Sequence, residues 1–314
     1  MNINTASVSR TLSTAGKKTA KVVPQVLLYA VMTGLAFIFL YPFLFMLVTS
    51  LMNNSDLNNS LVRWLPRELY FENFSMAARL MDYWATTKNT VFYTVAATVG
   101  QLISCSMAGY ALARFEFFGR KIAMFFIILA MLVPTQTIIV PQYVIYTDLE
   151  WLNTFNPIVI PAFLGFGLRG PLFIYIFRQF FLGQPRELEE AARVDGCGFI
   201  RTFTHVVFPV AKSIYIVVLV LALVWHWADF FEPSMYLNKS HLKLVSMRLQ
   251  GISDILTLPA DVLQSEHNIN DNNPISDATL MAGTFMVVLP ILVAYAFLQK
   301  QFVQGIERSG LTGE

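Results

Sequence analysis

Charge is scarce: Asp, Glu, Lys and Arg make up 13% of the 314 residues, where soluble domains carry about 25%. With 55% hydrophobic residues, this excludes a disordered chain and argues against a soluble globular one. Two cysteines, Cys105 and Cys197, are too few for a disulfide scaffold. Neither sign of charge dominates, because 22 basic and 20 acidic residues almost cancel. No Lys/Arg block marks a nucleic-acid face, which excludes nucleic acid as a partner. A phosphate-binding GxxxxGK[ST] loop is missing. Gly16-Lys17-Lys18-Thr19 resembles its tail, but Thr11 stands where the first glycine belongs. His205, His226, His241 and His267 share no metal-ligand spacing, and no Ser or Cys sits in a nucleophile motif. Voltage-sensor arginine rows and a carbonyl-type ion filter are also absent. The expectation is a non-catalytic chain that binds no metal or cofactor itself.

What the sequence does have is long apolar runs. A membrane-spanning helix needs about 20 mostly apolar residues, and six stretches qualify: Pro24 to Leu51, Asn89 to Leu112, Ile122 to Tyr143, Phe155 to Phe177, Val210 to Leu237 and Thr279 to Gln299. The first is too long in its apolar core for a cleaved signal peptide, and no small-residue cleavage site follows it. With the N-terminus in the cytoplasm, inside segments hold about twice as many Lys and Arg as outside ones. Both termini are therefore expected in the cytoplasm. Cys105 then lies in a span and Cys197 in a cytoplasmic loop, so they do not meet. The organisation reads as a tail at 1–23, a first span at 24–51, an external segment at 52–88, a core at 89–300 and a tail at 301–314. The core contains a cytoplasmic loop at 178–209 and an external loop at 238–278. In the external segment, Phe74, Ala77, Ala78 and Met81 share a helical face.

The loop at 178–209 carries the strongest local signals. Pro185 suits a first helical position, and Glu187, Glu189 and Glu190 favour the positive end of a helix. Glu189 and Arg193 stand at i, i+4, and Gly196 suits a left-handed stop. Leu188, Ala191, Ala192 and Asp195 fall on one face. Such a short helix suits docking into a groove on a partner. An ordinary interfacial connection between spans fits the same residues. Charges inside the apolar runs also need a reason, since burying one costs about 2.5–3.5 kcal/mol. These are Arg169, Asp229 and Glu232. Gly165, Gly167, Gly170 and Pro171 beside Arg169 predict an interrupted helix, a feature of transport sites. Mutual neutralisation of Arg169 and Asp229 is the competing account.

Several motifs resemble one family. Glu190-Ala191-Ala192, then Gly196, then Pro209, is similar to the EAA loop of bacterial ABC importer permeases. Leu182 to Gly196 resembles the carbohydrate-uptake, maltose-type branch in almost every position. Ala108 to Phe115 resembles its AGYALAR stretch. Pro134, Gln136 and Pro141 match its third core span. Trp227, Asp229 and Phe230 match a Trp-Asn-acid-Phe segment, and Phe302 to Gly305 match a C-terminal FVxG. Three positions depart from it: Cys197 replaces the usual Ala, Ala228 replaces the Asn, and the tail from Ser309 to Gly313 lacks a Lys.

The resemblance implies an all-α transmembrane fold of six helices, the type I (MetI-like) importer permease, with a cytoplasmic EAA coupling helix. It implies a bacterial inner-membrane subunit and a second, non-identical permease. It also implies two ATPases that hydrolyse ATP with Mg in trans, and an external binding protein that delivers a carbohydrate. Its coupling residues would be Glu190, Ala191, Ala192, Asp195 and Gly196, with Leu188 and Arg193 beside them. Its substrate pathway would draw on Trp225, Trp227, Asp229, Phe230, Gln136 and Arg169. The alternatives are the same machine for a polyamine, phosphonate or amino acid, or a transporter driven by an ion gradient.

Overall fold

The computed structural model describes residues 5–59, 64–257 and 275–308, with only the backbone path given for 5–23 and 307–308. The polar stretch Ser265 to Pro274 of the long loop and the tail from Ser309 to Gly313 lie outside the described residues. Every regular element among the described residues is helical.

The six apolar runs resolve into three unbroken helices and three broken ones. The unbroken helices are α1 (Thr5–Ser50), α4 (Tyr83–Arg114) and α15 (Asp277–Arg308). Each contains a stretch long and apolar enough to cross a membrane: Pro24–Ser50, Tyr83–Arg114 and Asp277–Ile306. The third run, expected as one span, is bent by 105° between α5 (Arg120–Leu132) and α6 (Thr135–Asp148). Pro134 stands at the break: it disfavours helical geometry at Val133, which is extended. The fourth run breaks, as the glycines predict, between α7 (Asn156–Phe163) and α8 (Gly170–Leu182). Its linker holds Gly165 (φ 77°), Gly167 (φ 89°) and Arg169 (φ 62°) in left-handed geometry.

The fifth run is shorter than expected. Its long helix, α12 (Lys212–Ala228), stops at the extended Asp229, and a separate α13 (Phe231–Tyr236) follows. At its other end the run turns through 79° from the segment Phe199–Val210. That segment comprises α10 (Phe199–Thr202), a π-helical turn at Phe203–Val207 and α11 (Phe208–Val210). The remaining helices are α2 (Asn54–Leu57), α3 (Glu72–Met81), α9 (Glu187–Val194) and α14 (Val245–Leu256).

The bundle is organised on α4, which packs against α7, α8 and α12. Its buried face is a run of small and hydroxylated side chains, among them Thr90, Thr94, Ala97, Thr98, Gly100, Ser106, Gly109 and Ala113. In lipid, apolar burial gives little drive, so close backbone approach through such residues holds helices together. Gly109 faces backbone at close range: a Cβ there would lie 2.7 Å from Phe177 Cβ and 2.9 Å from the backbone nitrogen of Arg178. Phe173, Phe177, Phe180 and Phe181 of α8 fill the core beside it.

Helix α1 packs against α15 yet buries little of its own surface. Its flank from Val26 to Phe45 is exposed, and burial begins at Met46. The segment that follows is tied back by Asn73, whose Nδ2 donates to the carbonyls of Ser50 (2.9 Å) and Met52 (2.8 Å). Ala77 and Met81 of α3 are fully buried against α14 and α15, on the face that the pattern predicted.

Gly109→Ala should therefore destabilise the protein by about 1–3 kcal/mol, the cost of overpacking a tight contact. Gly34→Ala on α1, where a Cβ meets nothing within 4 Å, should be neutral or slightly stabilising. Thermal melting of both detergent-solubilised variants, followed by size-exclusion, checks the contrast.

Candidate functional site

Two regions combine unusual backbone with charged or polar side chains. They lie toward opposite ends of α4.

The first is α9. Its first turn holds Glu187, Glu189 and Glu190, where the helix dipole favours them, and Arg193 stands in its last turn. Gly196 (φ 79°) ends it, and the amide of Cys197 donates back to the carbonyl of Ala192 at 2.9 Å. The helix has two faces. Leu188, Glu190, Ala191, Val194 and Asp195 are exposed, whereas Glu189 and Ala192 are buried. The alanine pair expected on one open face is thus divided, with Ala191 outward and Ala192 against the chain itself. Gly196 and Arg193 are also exposed.

Glu189 does not pair with Arg193 along the helix, as its spacing suggested. It pairs with Arg114 at the end of α4, Nε to Oε1 at 2.7 Å, with only 5% and 8% of the two side chains exposed. Tyr110 Oη donates to the other carboxylate oxygen at 2.7 Å. Arg114 Nη2 donates to the carbonyl of Gln184, just before α9, at 3.0 Å. Phe199 and Phe203, just after α9, stack on or tilt against the Tyr110 ring. Removing one partner of such a buried pair leaves an uncompensated charge, at a cost of about 3–5 kcal/mol.

The second region surrounds the helix breaks. A cavity of about 360 Å³ is lined by Phe126, Gln142, Tyr146, Phe166, Arg169 and Glu232, among others. Residues from all three breaks reach it: Val133 and Thr135 from the α5–α6 bend, Gly167 and Arg169 from the α7–α8 linker, and Glu232 just past Asp229. Its size falls in the range of small-molecule sites.

The residues singled out for a pathway sit differently around it. Arg169 lines the cavity, is exposed, and lies over the Trp225 ring at 5.6 Å. Among the described residues it forms no ion pair with Asp229; Arg67 pairs with Asp56 and Arg114 with Glu189. Trp225 stacks on Phe173. Trp227 is buried and donates through Nε1 to the carbonyl of Val287 at 2.9 Å. Gln136 is exposed on the first turn of α6, and Phe230 is 38% exposed beside Asp229.

Asp229 belongs to a polar chain that spacing alone does not reveal. Tyr93 Oη donates to its Oδ2 at 3.0 Å and lies 3.3 Å from His226 Nδ1. His226 Nε2 lies 3.0 Å from Gln101 Oε1, and Gln101 Nε2 donates to the carbonyl of Leu168 at 2.7 Å. That last bond fixes the Gln101 amide, so its oxygen faces His226 and the proton of the imidazole belongs on Nε2. A buried Tyr and Gln at i, i+8 on α4, both polar in an apolar run, were the available signal.

His226→Ala would strand Gln101 Oε1 and remove one partner of Tyr93. An unsatisfied buried group costs about 1–3 kcal/mol. The variant should melt several degrees lower in detergent, measured against Trp225→Phe, which keeps the ring stack.

A family model described as "Binding-protein-dependent transport system inner membrane component" matches residues 100–308. The arabinooligosaccharides transport system permease protein AraQ of Halalkalibacterium halodurans is 27% identical over 282 residues, covering 89% of this chain and 93% of that one. The melibiose/raffinose/stachyose import permease protein MelC of Bacillus subtilis is 28% identical, covering 87% and 91%. In fold, the chain is similar to one from a crystal structure of a bacterial ABC transporter involved in the import of the acidic polysaccharide alginate. The TM-score is 0.74 at 21% identity, covering 90% of this chain and 98% of the other.

Proposed function

Because the chain belongs to the family of binding-protein-dependent transport system inner membrane components, we propose that it is one permease subunit of an ATP-driven carbohydrate importer, with an oligosaccharide as substrate. It is a multi-pass, non-catalytic membrane subunit. In this reading both termini and α9 face the cytoplasm, as the distribution of basic residues favours. A second, non-identical permease completes the pathway. Two ATPases bind on the cytoplasmic side, one of them against α9, and an external binding protein delivers the sugar at the opposite end.

The observation that carries the reading is α9 itself. A helix of eight residues is stopped by a left-handed glycine and pinned from behind by a buried ion pair. It presents Leu188, Glu190, Ala191, Val194 and Asp195 outward. An exposed apolar and acidic ridge held this rigidly fits a groove on a soluble partner. Glu190 supplies the ionic contact to that partner, and Ala191 allows close approach. The names of relatives such as AraQ and MelC support a saccharide as the cargo.

The mechanism is alternating access. Closure of the ATPases moves α9, and the movement changes which end of the cavity is open. The broken helices around the cavity supply backbone polar groups, and Arg169 with Glu232 supplies charged ones, for sugar hydroxyls to meet. Tyr146 and Phe166 offer aromatic faces beside them.

The test is ATP hydrolysis by the co-expressed complex in lipid, with its binding protein, across a panel of mono- and oligosaccharides. Stimulation by one saccharide class is expected, together with loss of at least 90% of it in Glu190→Lys; a tenfold loss corresponds to about 1.4 kcal/mol. Arg169→Ala should lower uptake with the ATPases still bound. No stimulation by any saccharide, with the ATPases co-purifying, would move the substrate outside sugars. No co-purification at all would remove the ATP-driven reading.

A further inference from the structure

Helix α9 reaches the rest of the molecule along the chain and through space. Backward along the chain, residues 183–186 join it to α8, with the Gln184 carbonyl held by Arg114 of α4. Forward, the chain passes the Gly196 turn, enters the π-helical turn Phe203–Val207 and bends by 79° into α12. A π-helical turn and a sharp bend each interrupt the regular hydrogen-bond ladder. They deliver a displacement poorly.

The other route runs through space to α4. One turn of α4 grips the segment before α9 (Arg114 on the Gln184 carbonyl), α9 itself (Arg114 and Tyr110 on Glu189) and the segment after it (Tyr110 against Phe199 and Phe203). From there α4 continues with no proline to Tyr83. Tyr110 to Tyr93 spans about 25 Å at 1.5 Å per residue. Along that length Gln101 holds the Leu168 carbonyl in the α7–α8 linker, and Tyr93 holds Asp229 in the α12–α13 break. Both breaks contribute to the cavity wall through Arg169 and Glu232.

We propose that α4 is the rod that carries movement of α9 to the cavity, and that Glu189 and Arg114 are the positioning pair that pins the rod to α9. The proposal rests on α9 being the site of ATPase docking. It separates the jobs of two adjacent acids: Glu190 faces the partner, and Glu189 faces the rod. Buried ion pairs are weak contributors to stability compared with apolar packing. Their advantage here is direction, since charge-assisted contacts resist sliding where apolar ones do not.

The experiment uses the full complex in lipid nanodiscs: this chain, its partner permease, the ATPases and the binding protein. Spin labels go on Gln136→Cys and Phe166→Cys in a Cys197→Ser background. The first reports α6, which holds no side-chain bond to α4 among those described, and the second reports the linker that Gln101 holds. The probe is MgATP trapped in the ATPases with vanadate. Trapping should shift the label distance in the parent. Glu189→Gln and Arg114→Gln should each cut the shift to less than half, with trapped nucleotide within twofold of the parent. Glu189→Asp should keep most of the shift.

An undiminished shift in both single variants, with nucleotide trapped, would overturn the proposal. Where a single variant loses the ATPases, the charge-swapped pair Glu189→Arg with Arg114→Glu decides. Recovery of both ATPases and shift supports the pin; recovery of neither, or of the ATPases alone, overturns it. Glu190→Lys keeps the docking reading separate: ATPases bound as tightly as in the parent would refute docking through that face, whatever the pin does.

Discussion

A peptide backbone that breaks its helix inside a bilayer exposes polar groups that hydrocarbon cannot satisfy. Protein must satisfy them instead, and unpaired groups cost several kcal/mol each, on the order of 2–7. Three of the six apolar runs in this chain break, so the fold depends on where their freed groups go. At the α7–α8 break the answer is α4. Gln101 takes the Leu168 carbonyl, and Ser104 takes the Ala162 carbonyl at 2.7 Å. Nearer its start, Thr90 accepts from the Val245 amide, and Asn89 donates to the carbonyls of His241 and Lys243. At its far end Arg114 takes the Gln184 carbonyl. One unbroken helix thus carries partners for the α7–α8 break and for the irregular segments around residues 184 and 241–245.

This division explains the composition of α4. A span chosen for lipid solubility alone would be Leu and Val throughout. Here the face turned inward is Thr, Ser, Gly, Ala, Gln and Tyr, while Val91, Phe92, Val95, Val99 and Ile103 face outward and are exposed. Small residues bring α7, α8 and α12 close, and polar ones bind their loose backbone. The same helix therefore sets both the packing distance and the hydrogen-bond pattern of the bundle.

The sequence made some of this legible and hid the rest for identifiable reasons. The α7–α8 break was readable because three glycines and a proline surround Arg169. The α5–α6 bend was not, since the run is apolar on average across Pro134 and the Thr135-Gln136-Thr137 that follows it, and hydropathy carries no direction. The end of α9 was readable from Gly196. The pairing of Glu189 was not, because local spacing offered Arg193 at i+4. A pair of that kind on an exposed helix is worth about 0.2–0.5 kcal/mol. A buried carboxylate needs a cation that is buried with it, and Arg114 lies 75 residues away in sequence, where no local rule could point. Trp225 and Trp227, both assigned to a substrate pathway by the resemblance, differ in burial for a reason that spacing does not show: Trp225 is half-buried between Phe173 and Arg169, whereas Trp227 is buried with its Nε1 on the Val287 carbonyl.

Arg169 brings these threads to one residue. Its backbone is left-handed at φ 62°, a conformation that costs a non-glycine residue roughly 1–2 kcal/mol. It is also a charge within an apolar run, with its guanidinium over an indole and no carboxylate partner among the described residues. A glycine would relieve the backbone cost, as Gly165 and Gly167 do nearby, and a leucine would relieve the charge. Stability favours neither feature of the residue that is present. Strain of this sort persists where surrounding structure over-determines it, and it concentrates at functional sites. The Gln101 bond to the adjacent Leu168 carbonyl is what over-determines it here, so the helix that holds the bundle together also fixes the exposed Arg169 of the cavity wall in place.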